Sequence, residues 1–324
     1  MRAIVQSKYG SPDDVLELKD IDKPVVKDHE VLVRVQAAGL HVGDLFGVRG
    51  APFAMRIVTG LLKPKYGVPG FDLAGRVEAA GTNVTRFRPG DEVFGASTGT
   101  CAEYARAGEK KLALKPANLT FEEAAAIPTS ALAALHGLRD VGKAQPGHKV
   151  LINGASGGVG SFAVQIAKSF GADVTGVCST KNVDMVRSIG ADHVIDYTQE
   201  DFTRGGTRYD LIFDNVENRS LADCRRALTS TGTLILNSGT GAQGIGMLVR
   251  LVKPLVLSPF VRQSLRRYLS VPNHEDLVVL KELVESGKLR PVIDRKYPLH
   301  ETPAALGYIE GGHARGKVVI TLET

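Results

Sequence analysis

The residues best suited to chemistry form one run, VLINGASGGVG over positions 150–160, followed directly by SFAVQIAK. An apolar strand enters a glycine-rich turn that opens straight into an amphipathic helix. Against the usual G-x-G-x-x-G pattern, Ala155 takes the first position and Gly157 and Gly160 take the other two. Gly157 lets the backbone approach a pyrophosphate, and Gly160 lets the helix pack on the strand. The N–H groups around Ser156, Gly157, Gly158 and Val159 are then placed to hold phosphate oxygens. A mere tight turn is the plainer alternative, but strand, turn and helix stand in the order a dinucleotide site requires. An NAD site usually carries Asp or Glu about 20 residues further on, accepting hydrogen bonds from the ribose hydroxyls. Here the second strand and its tip read DVTGVCSTK, positions 173–181, with no carboxylate at the end. Ser179 and Lys181 suit a 2′-phosphate instead, so the expected cofactor is NADPH. The alternative for Lys181 is a solvated residue opening the next helix.

The elements around this turn alternate. Strands are expected at 150–152, 173–177, 194–195, 209–213 and 233–236, with helices at 159–170, 182–189 and 220–228. Short connections between them predict a parallel, doubly wound sheet. Asn237, Ser238 and Gly239 end one of its strands at the carboxyl edge, where ligands bind in such folds; a plain turn is the other reading. The first 120 or so residues differ. EVLVRVQAA at 30–38 alternates as a half-buried strand does, and short β-like pieces separated by Gly, Pro, Asn and Asp follow it. Such turn-rich β structure suits a small barrel-like domain. Thr120 followed by Glu122 and Glu123 reads as a helix start, and an Ala-rich stretch broken at Pro128 comes next. Asn273 with Glu275 and Asp276 opens a late helix, and 316–322 closes the chain as a strand.

Composition agrees with two domains. The 324 residues exceed what one core usually serves, and 43% hydrophobic residues exclude bulk disorder. Cys101, Cys178 and Cys224 lie far apart, which excludes a four-cysteine zinc lobe and argues against a disulfide scaffold. No long uncharged apolar run predicts a membrane span, and the opening MRAIVQSKYG lacks the marks of a targeting peptide, so the expected setting is cytoplasmic. A net charge of +5 and the absence of Trp give little reason to expect nucleic acid.

Taken together, PGFDLAGRV at 69–77, Gly81, RPGDEV at 88–93, ASGGVG at 155–160, GADHVIDY at 190–197, Asp214-Asn215-Val216 and GKVVI at 316–320 resemble the medium-chain dehydrogenase/reductase superfamily. Their order and spacing are similar to its zinc-free quinone oxidoreductase, zeta-crystallin-like branch over nearly the whole chain. The resemblance implies an α/β fold with a GroES-like β-rich catalytic domain, residues 1–121 completed by 290–324. A Rossmann doubly wound parallel sheet at 122–289 would be inserted in it, with NADPH held in a cleft. It further implies that Asn215 and Val216 lie on the nicotinamide side and that Tyr197 lies beside the adenosine ribose. Lys317 of the terminal motif is expected as another cofactor contact. For Tyr197, an exposed tyrosine at a strand end is the alternative.

Zinc alcohol dehydrogenases of this superfamily carry a Cys ligand where this chain has His41, and a ligand His where it has Phe71. Phenylalanine cannot ligate, and His41 with Asp72 is short of the usual three protein ligands, so no metal is expected. Without zinc to polarise a carbonyl, the acceptor must already be electrophilic, as quinones and α,β-unsaturated carbonyls are. The protein then needs mainly to align acceptor and nicotinamide and to exclude water. His41 stands where the quinone-reductase branch usually has Asn. It is either a pocket residue that hydrogen-bonds cofactor or substrate, or a loop histidine with no chemical role. Ala133 replaces a frequent Thr, and Glu217 a frequent Gly.

The expected activity is therefore a zinc-independent, NADPH-dependent reduction of a quinone or enone. The alternative is a nucleotide-binding, membrane-associated or structural protein of the same fold with little catalysis. Residues 241–270 carry five basic side chains and no acidic one. Within them 245–267 is either a weak membrane contact, a lid, or a dimer contact, and Pro254 and Pro259 break any single amphipathic helix there. Relatives are commonly homodimers pairing sheet edges, and 266–271 is the candidate edge.

Overall fold

The computed structural model describes residues 1–53, 56–65, 67–237, 261–312 and 314–322. Two compact units make it up, Met1–Leu132 with Val271–Thr324, and Ala133–Ser270.

In the first unit, numbering strands along the chain, β1 (Arg2–Gln6) pairs with β2 (Leu16–Asp20). The larger sheet joins β3 (Glu30–Leu40), β4 (Asp72–Ala80), β5 (Glu92–Ala96), β6 (Tyr104–Gly108), β7 (Leu112–Leu114), β14 (Ile293–Pro298) and β15 (Lys317–Thr321). Its order is β14-β15-β3-β4-β5-β7, with β6 also on β3. Val31, Val33 and Val35 of β3 are buried and Arg34 is exposed, as alternation predicts, but Leu32 is buried too, beside a register shift against β4. From Ala37 to Leu40 the alternation stops and every residue is buried. There β15 pairs on one side and the short helix α4 (Phe121–Ala125) packs against the strand. A Cβ on Gly39 would lie 2.1 Å from the Ala125 carbonyl oxygen, so only glycine permits that approach.

Helices α1 (Pro12–Val15), α2 (Val42–Arg49) and α3 (Arg56–Thr59) precede β4, and α5 (Pro128–Leu135) follows α4. The Thr120 hydroxyl accepts from Glu123 N–H at 3.3 Å, and the Glu123 carboxylate accepts from Thr120 N–H at 2.9 Å. This is the expected helix start, in its reciprocal form.

In the second unit, β8 (Lys149–Asn153), β9 (Asp173–Cys178), β10 (His193–Asp196), β11 (Tyr209–Asp214), β12 (Leu228–Leu236) and β13 (Ser264–Arg266) are all parallel. Their order is β10-β9-β8-β11-β12-β13. Counted from β8 this is 3-2-1-4-5-6, the doubly wound order, and it reverses direction between β8 and β11. Helices α6 (Gly158–Ser169), α7 (Val183–Ser188) and α8 (Leu221–Ala227) connect the strands. The edge strand lies earlier than the expected 266–271. From Arg267 onward side-chain ties draw the chain off the sheet: Arg267 pairs with Glu217, Tyr268 donates to the Ala133 carbonyl, and Ser270 meets His136.

The units divide after Leu132 and after Ser270, whereas the sequence reading placed the divisions at 121/122 and 289/290. The late helix α9 (His274–Glu285) accounts for the second difference. Asn273 caps it by accepting from Asp276 N–H at 2.8 Å, and its stripe of Leu277, Leu280 and Val284 is buried. It packs on β7, so it belongs with the first unit. Helix α10 (Thr302–Glu310) then leads to β15. Among the described residues no helix is long and apolar enough to cross a membrane.

Candidate functional site

The glycine turn sits at the carboxyl end of β8, beside the switch point. Gly154 has φ +79°, a left-handed conformation that the turn imposes and glycine tolerates. A Cβ on Gly160 would lie 2.0 Å from the Gly154 carbonyl oxygen, so this glycine lets α6 close on the turn. Gly157, which precedes α6, is different: a Cβ there would meet no protein atom closer than 3.5 Å. Among the described residues no packing demands glycine at 157. The first N–H groups of α6, at Gly158 and Val159, have no partner inside the helix, as at any helix start. The turn therefore fits a dinucleotide.

Asn182, absent from the sequence reading, ties the adenosine side together. Its Nδ2 donates to Ser156 Oγ at 3.0 Å and to Ser179 Oγ at 3.3 Å, and its Oδ1 is buried without a partner among the described residues. Ser179 and Ser156 are thus brought to one place. Lys181 is exposed on the single 3₁₀ turn that follows. Tyr197 N–H bonds the Cys178 carbonyl at 3.0 Å, which sets it beside the tip of β9, with its side chain 51% exposed. Asp196 also lies at that tip. Its carboxylate accepts from Thr180 Oγ1 at 2.6 Å, and this bond is the main cause holding it below the usual carboxylate range. The sequence reading saw no carboxylate on β9 itself; this one arrives from the neighbouring strand.

Across the switch point a polar network organises the other expected residues. Asn153 Nδ2 donates to Asp214 Oδ1 at 2.7 Å, and Val216 and Glu217 N–H donate to the same oxygen. Asn215 Nδ2 donates to the Asn153 carbonyl at 3.2 Å, and Asn237 Nδ2 donates to Asn215 Oδ1 at 2.8 Å. Val216 packs over the turn, since a Cβ on Gly154 would touch its Cγ2 at 2.7 Å. Asn215, Val216 and Asn237 therefore form one patch with the glycine turn, while Ser238 and Gly239 lie outside the described residues. Asn153 and Asp214 lie within motifs the sequence singled out, but their role in holding the patch depends on side-chain direction. Glu217 has φ +56°, the conformation that suits the glycine common in relatives, and its carboxylate pairs with Arg267, whose Nη1 donates at 3.0 Å.

A second cluster forms in the first unit. Register places Val318 opposite Leu40 and Gly39 opposite Asp72, so β15, β3 and β4 converge around His41. Lys317 is 2% exposed; its Nζ is 3.5 Å from Asp72 and donates to Ser130 Oγ at 3.1 Å. Asp72 also accepts from Thr129 N–H at 3.1 Å and from the Thr129 hydroxyl, at the start of α5. Burial pushes the Asp72 carboxyl up, and Lys317 with the Thr129 donors pulls it back. Lys317, expected as a cofactor contact, is engaged within this cluster.

His41 caps α2. Gly43 N–H donates to its Nδ1 at 3.0 Å, and its own N–H donates to Asp44 Oδ2 at 2.7 Å. Burial, aided by the Lys317 charge, lowers the imidazole to about 3, and burial raises the Asp44 carboxyl to about 8. Both groups are neutral at pH 7, so their 3.6 Å separation is no ion pair. His41 stacks on Phe71 at 5.8 Å between ring centroids. Among the described residues no three His, Cys, Asp or Glu side chains converge on a metal position.

Residues 27–137 match the family described as the alcohol dehydrogenase GroES-like domain, and 189–320 the family described as zinc-binding dehydrogenase. The chain is 35% identical to the 2-methylene-furan-3-one reductase of Solanum lycopersicum, over 99% of its own length and 79% of the relative's. It is 34% identical to the NADPH-dependent alkenal/one oxidoreductase of Arabidopsis thaliana chloroplasts, with coverage of 99% and 79%. The solved quinone oxidoreductase of Coxiella burnetii superposes with a TM-score of 0.87 at 31% identity, covering 100% of this chain and 99% of that one. The chain belongs to the zinc-free quinone oxidoreductase branch of the medium-chain dehydrogenase/reductases. Its first unit is accordingly the GroES-like domain and its second the Rossmann domain. In this branch member the residues at the zinc-ligand positions of the alcohol dehydrogenases, His41 and Phe71, stack on each other, and Asp72 is occupied by Lys317 and Thr129.

Proposed function

We propose that the chain is a zinc-independent, NADPH-dependent reductase that transfers hydride to a quinone or an α,β-unsaturated carbonyl. The observation that carries this reading is the open space at Gly157, at the head of α6 and beside the asparagine patch of the switch point. The relatives support the acceptor class, since proteins about one-third identical to this chain are named as enone and quinone reductases. When bound, NADPH supplies the hydride. Ser156, Gly157, Gly158 and Val159 hold its pyrophosphate, beside Ala155 at the turn. Ser179, positioned by Asn182, and Lys181 hold the 2′-phosphate, with Tyr197 beside the ribose. Asn215, Val216 and Asn237 orient the nicotinamide side. No nucleic-acid partner is proposed, and nothing observed favours a non-catalytic nucleotide binder.

A homodimer is supported by the outer edge of β13, which among the described residues is the last strand of its sheet. A weak contact of 245–267 with anionic lipid rests on the basic character of its sequence. Cytoplasmic placement is supported by the cysteine usage, three residues far apart in the sequence.

The function is tested by following NADPH absorbance with 1,4-benzoquinone and with 3-buten-2-one. Wild type oxidises NADPH with both, and Gly157→Asp, which puts a carboxylate where the pyrophosphate approaches, abolishes both. Wild type inert toward both acceptors would sink the reading.

A further inference from the structure

We infer that Asn182 sets the direction of two serine hydroxyls, so that Ser156 and Ser179 each present an O–H donor to a phosphate of NADPH. This rests on the cofactor reading above and adds to it a positioning residue that serves two phosphate sites at once.

Ser156 belongs to the glycine turn and Ser179 follows the tip of β9, and both are half-buried. Asn182 is 6% exposed, and its Nδ2 donates to Ser156 Oγ at 3.0 Å and to Ser179 Oγ at 3.3 Å. An amide N–H₂ has two hydrogens, and each is committed to one serine oxygen. A hydroxyl oxygen that accepts from one side turns its own hydrogen elsewhere. Neither hydroxyl has an acceptor among the described residues, so both O–H groups remain for a ligand. The reverse orientation of the amide would draw both hydroxyl hydrogens toward Oδ1 and turn serine lone pairs outward. It would also leave a buried N–H₂ without partners, whereas the observed orientation leaves only the carbonyl oxygen Oδ1 so. Orphaned buried N–H groups are the rarer case.

The local fold does not require this side chain. Asn is a favoured N-cap, and Asn182 stands directly before α7, yet its side chain makes no cap hydrogen bond there. The 3₁₀ turn Thr180–Asn182 closes through its backbone, with Asn182 N–H on the Ser179 carbonyl at 2.9 Å. Its other side is held by Thr180 Oγ1, which donates to Asp196 Oδ2 at 2.6 Å. Those bonds fix the turn, and the amide is left to face the serines.

NADPH carries its 2′-phosphate and its pyrophosphate on one ribose, at C2′ and C5′. Sites for the two must lie close together, and Asn182 reaches a serine of each. A hydroxyl hydrogen aimed at an anionic oxygen attracts it, and a lone pair aimed there repels it. NADH has the pyrophosphate alone, so it draws on Ser156 and not on Ser179.

The test is a set of dissociation constants for NADPH and NADH, measured by isothermal titration calorimetry with no acceptor present. Asn182→Ala raises Kd for NADPH roughly tenfold and for NADH roughly threefold. In a Ser156→Ala/Ser179→Ala protein the same substitution changes either constant by less than about twofold, because the hydroxyls it acted through are gone. Asn182→Asp keeps the shape but can only accept, so it reverses both hydroxyls and adds a charge. Its Kd for NADPH rises on the order of a hundredfold. Should the alanine variant not fold, the aspartate variant replaces it, and its loss shrinks at least about threefold once the serines are removed. An equal loss with and without the serines, or equal factors for NADPH and NADH, would overturn the inference while wild-type NADPH binding stands. Wild type binding NADPH no tighter than NADH would overturn the 2′-phosphate reading and this inference with it.

Discussion

At the scale of single residues, charge decides which cofactor the second unit prefers. Lys181 is exposed on the turn after β9, next to Ser179, with the Asp196 carboxylate on the adjoining strand tip. One charge-assisted contact to a phosphate contributes about 1.5–3 kcal/mol, and solvent exposure places Lys181 at the low end. Lys181→Ala should raise KM for NADPH about tenfold and leave KM for NADH nearly unchanged. Unchanged KM for NADPH would remove Lys181 from the 2′-phosphate site. Motif spacing pointed to Ser179 and Lys181 because their positions after a strand are fixed by the fold. Asn182 and Asp196 escaped notice because their relevance depends on side-chain direction and on a neighbouring strand, neither of which a linear pattern encodes.

Among elements, the glycine turn separates two reasons for the same residue type. Gly160 answers to packing, with the Gly154 carbonyl oxygen 2.0 Å from where a Cβ would be, whereas Gly157 borders open space. Gly160→Ala must therefore push α6 off the turn and should cost about 1–3 kcal/mol, lowering the melting temperature by several degrees. Gly157→Ala should leave stability within about 0.5 kcal/mol and instead weaken NADPH binding. Equal melting temperatures for the two variants would contradict this division. The strands and helices of this unit were legible because each carries an apolar run of the right period between turn residues. The edge strand was misplaced because its end is set by the long-range ties of Arg267, Tyr268 and Ser270. The helix α9 was assigned across the domain boundary because its stripe says that it is buried, not against which sheet.

For the molecule as a whole, the buried groups beside β15 set how stability varies with pH. His41 titrates at about 3 when folded against an ordinary 6.5, so below pH 6.5 the unfolded chain takes up a proton that the folded one refuses. That term removes stability as pH falls from 6.5 toward 3. Asp44 works in the other direction: at about 8 against an ordinary 3.8, its folded form holds a proton that the unfolded chain has released, and stability is lost as pH rises from 3.8 through 8. Between pH 3.8 and 6.5 the two slopes oppose each other and nearly cancel. Above 6.5 only Asp44 remains, and its contribution falls by about 1.4 kcal/mol per pH unit, about 2 kcal/mol in all by pH 8. The Asp72 carboxyl, which burial also pushes up, faces the same cluster and works in the same direction as Asp44. Asp44→Asn keeps an oxygen to accept from His41 N–H and removes the titration. Calorimetric melting temperatures from pH 6.5 to 8 should therefore decline for wild type and decline much less for the variant. Parallel declines would show that Asp44 is ionised in the folded protein, and the neutral cap around His41 would have to be abandoned.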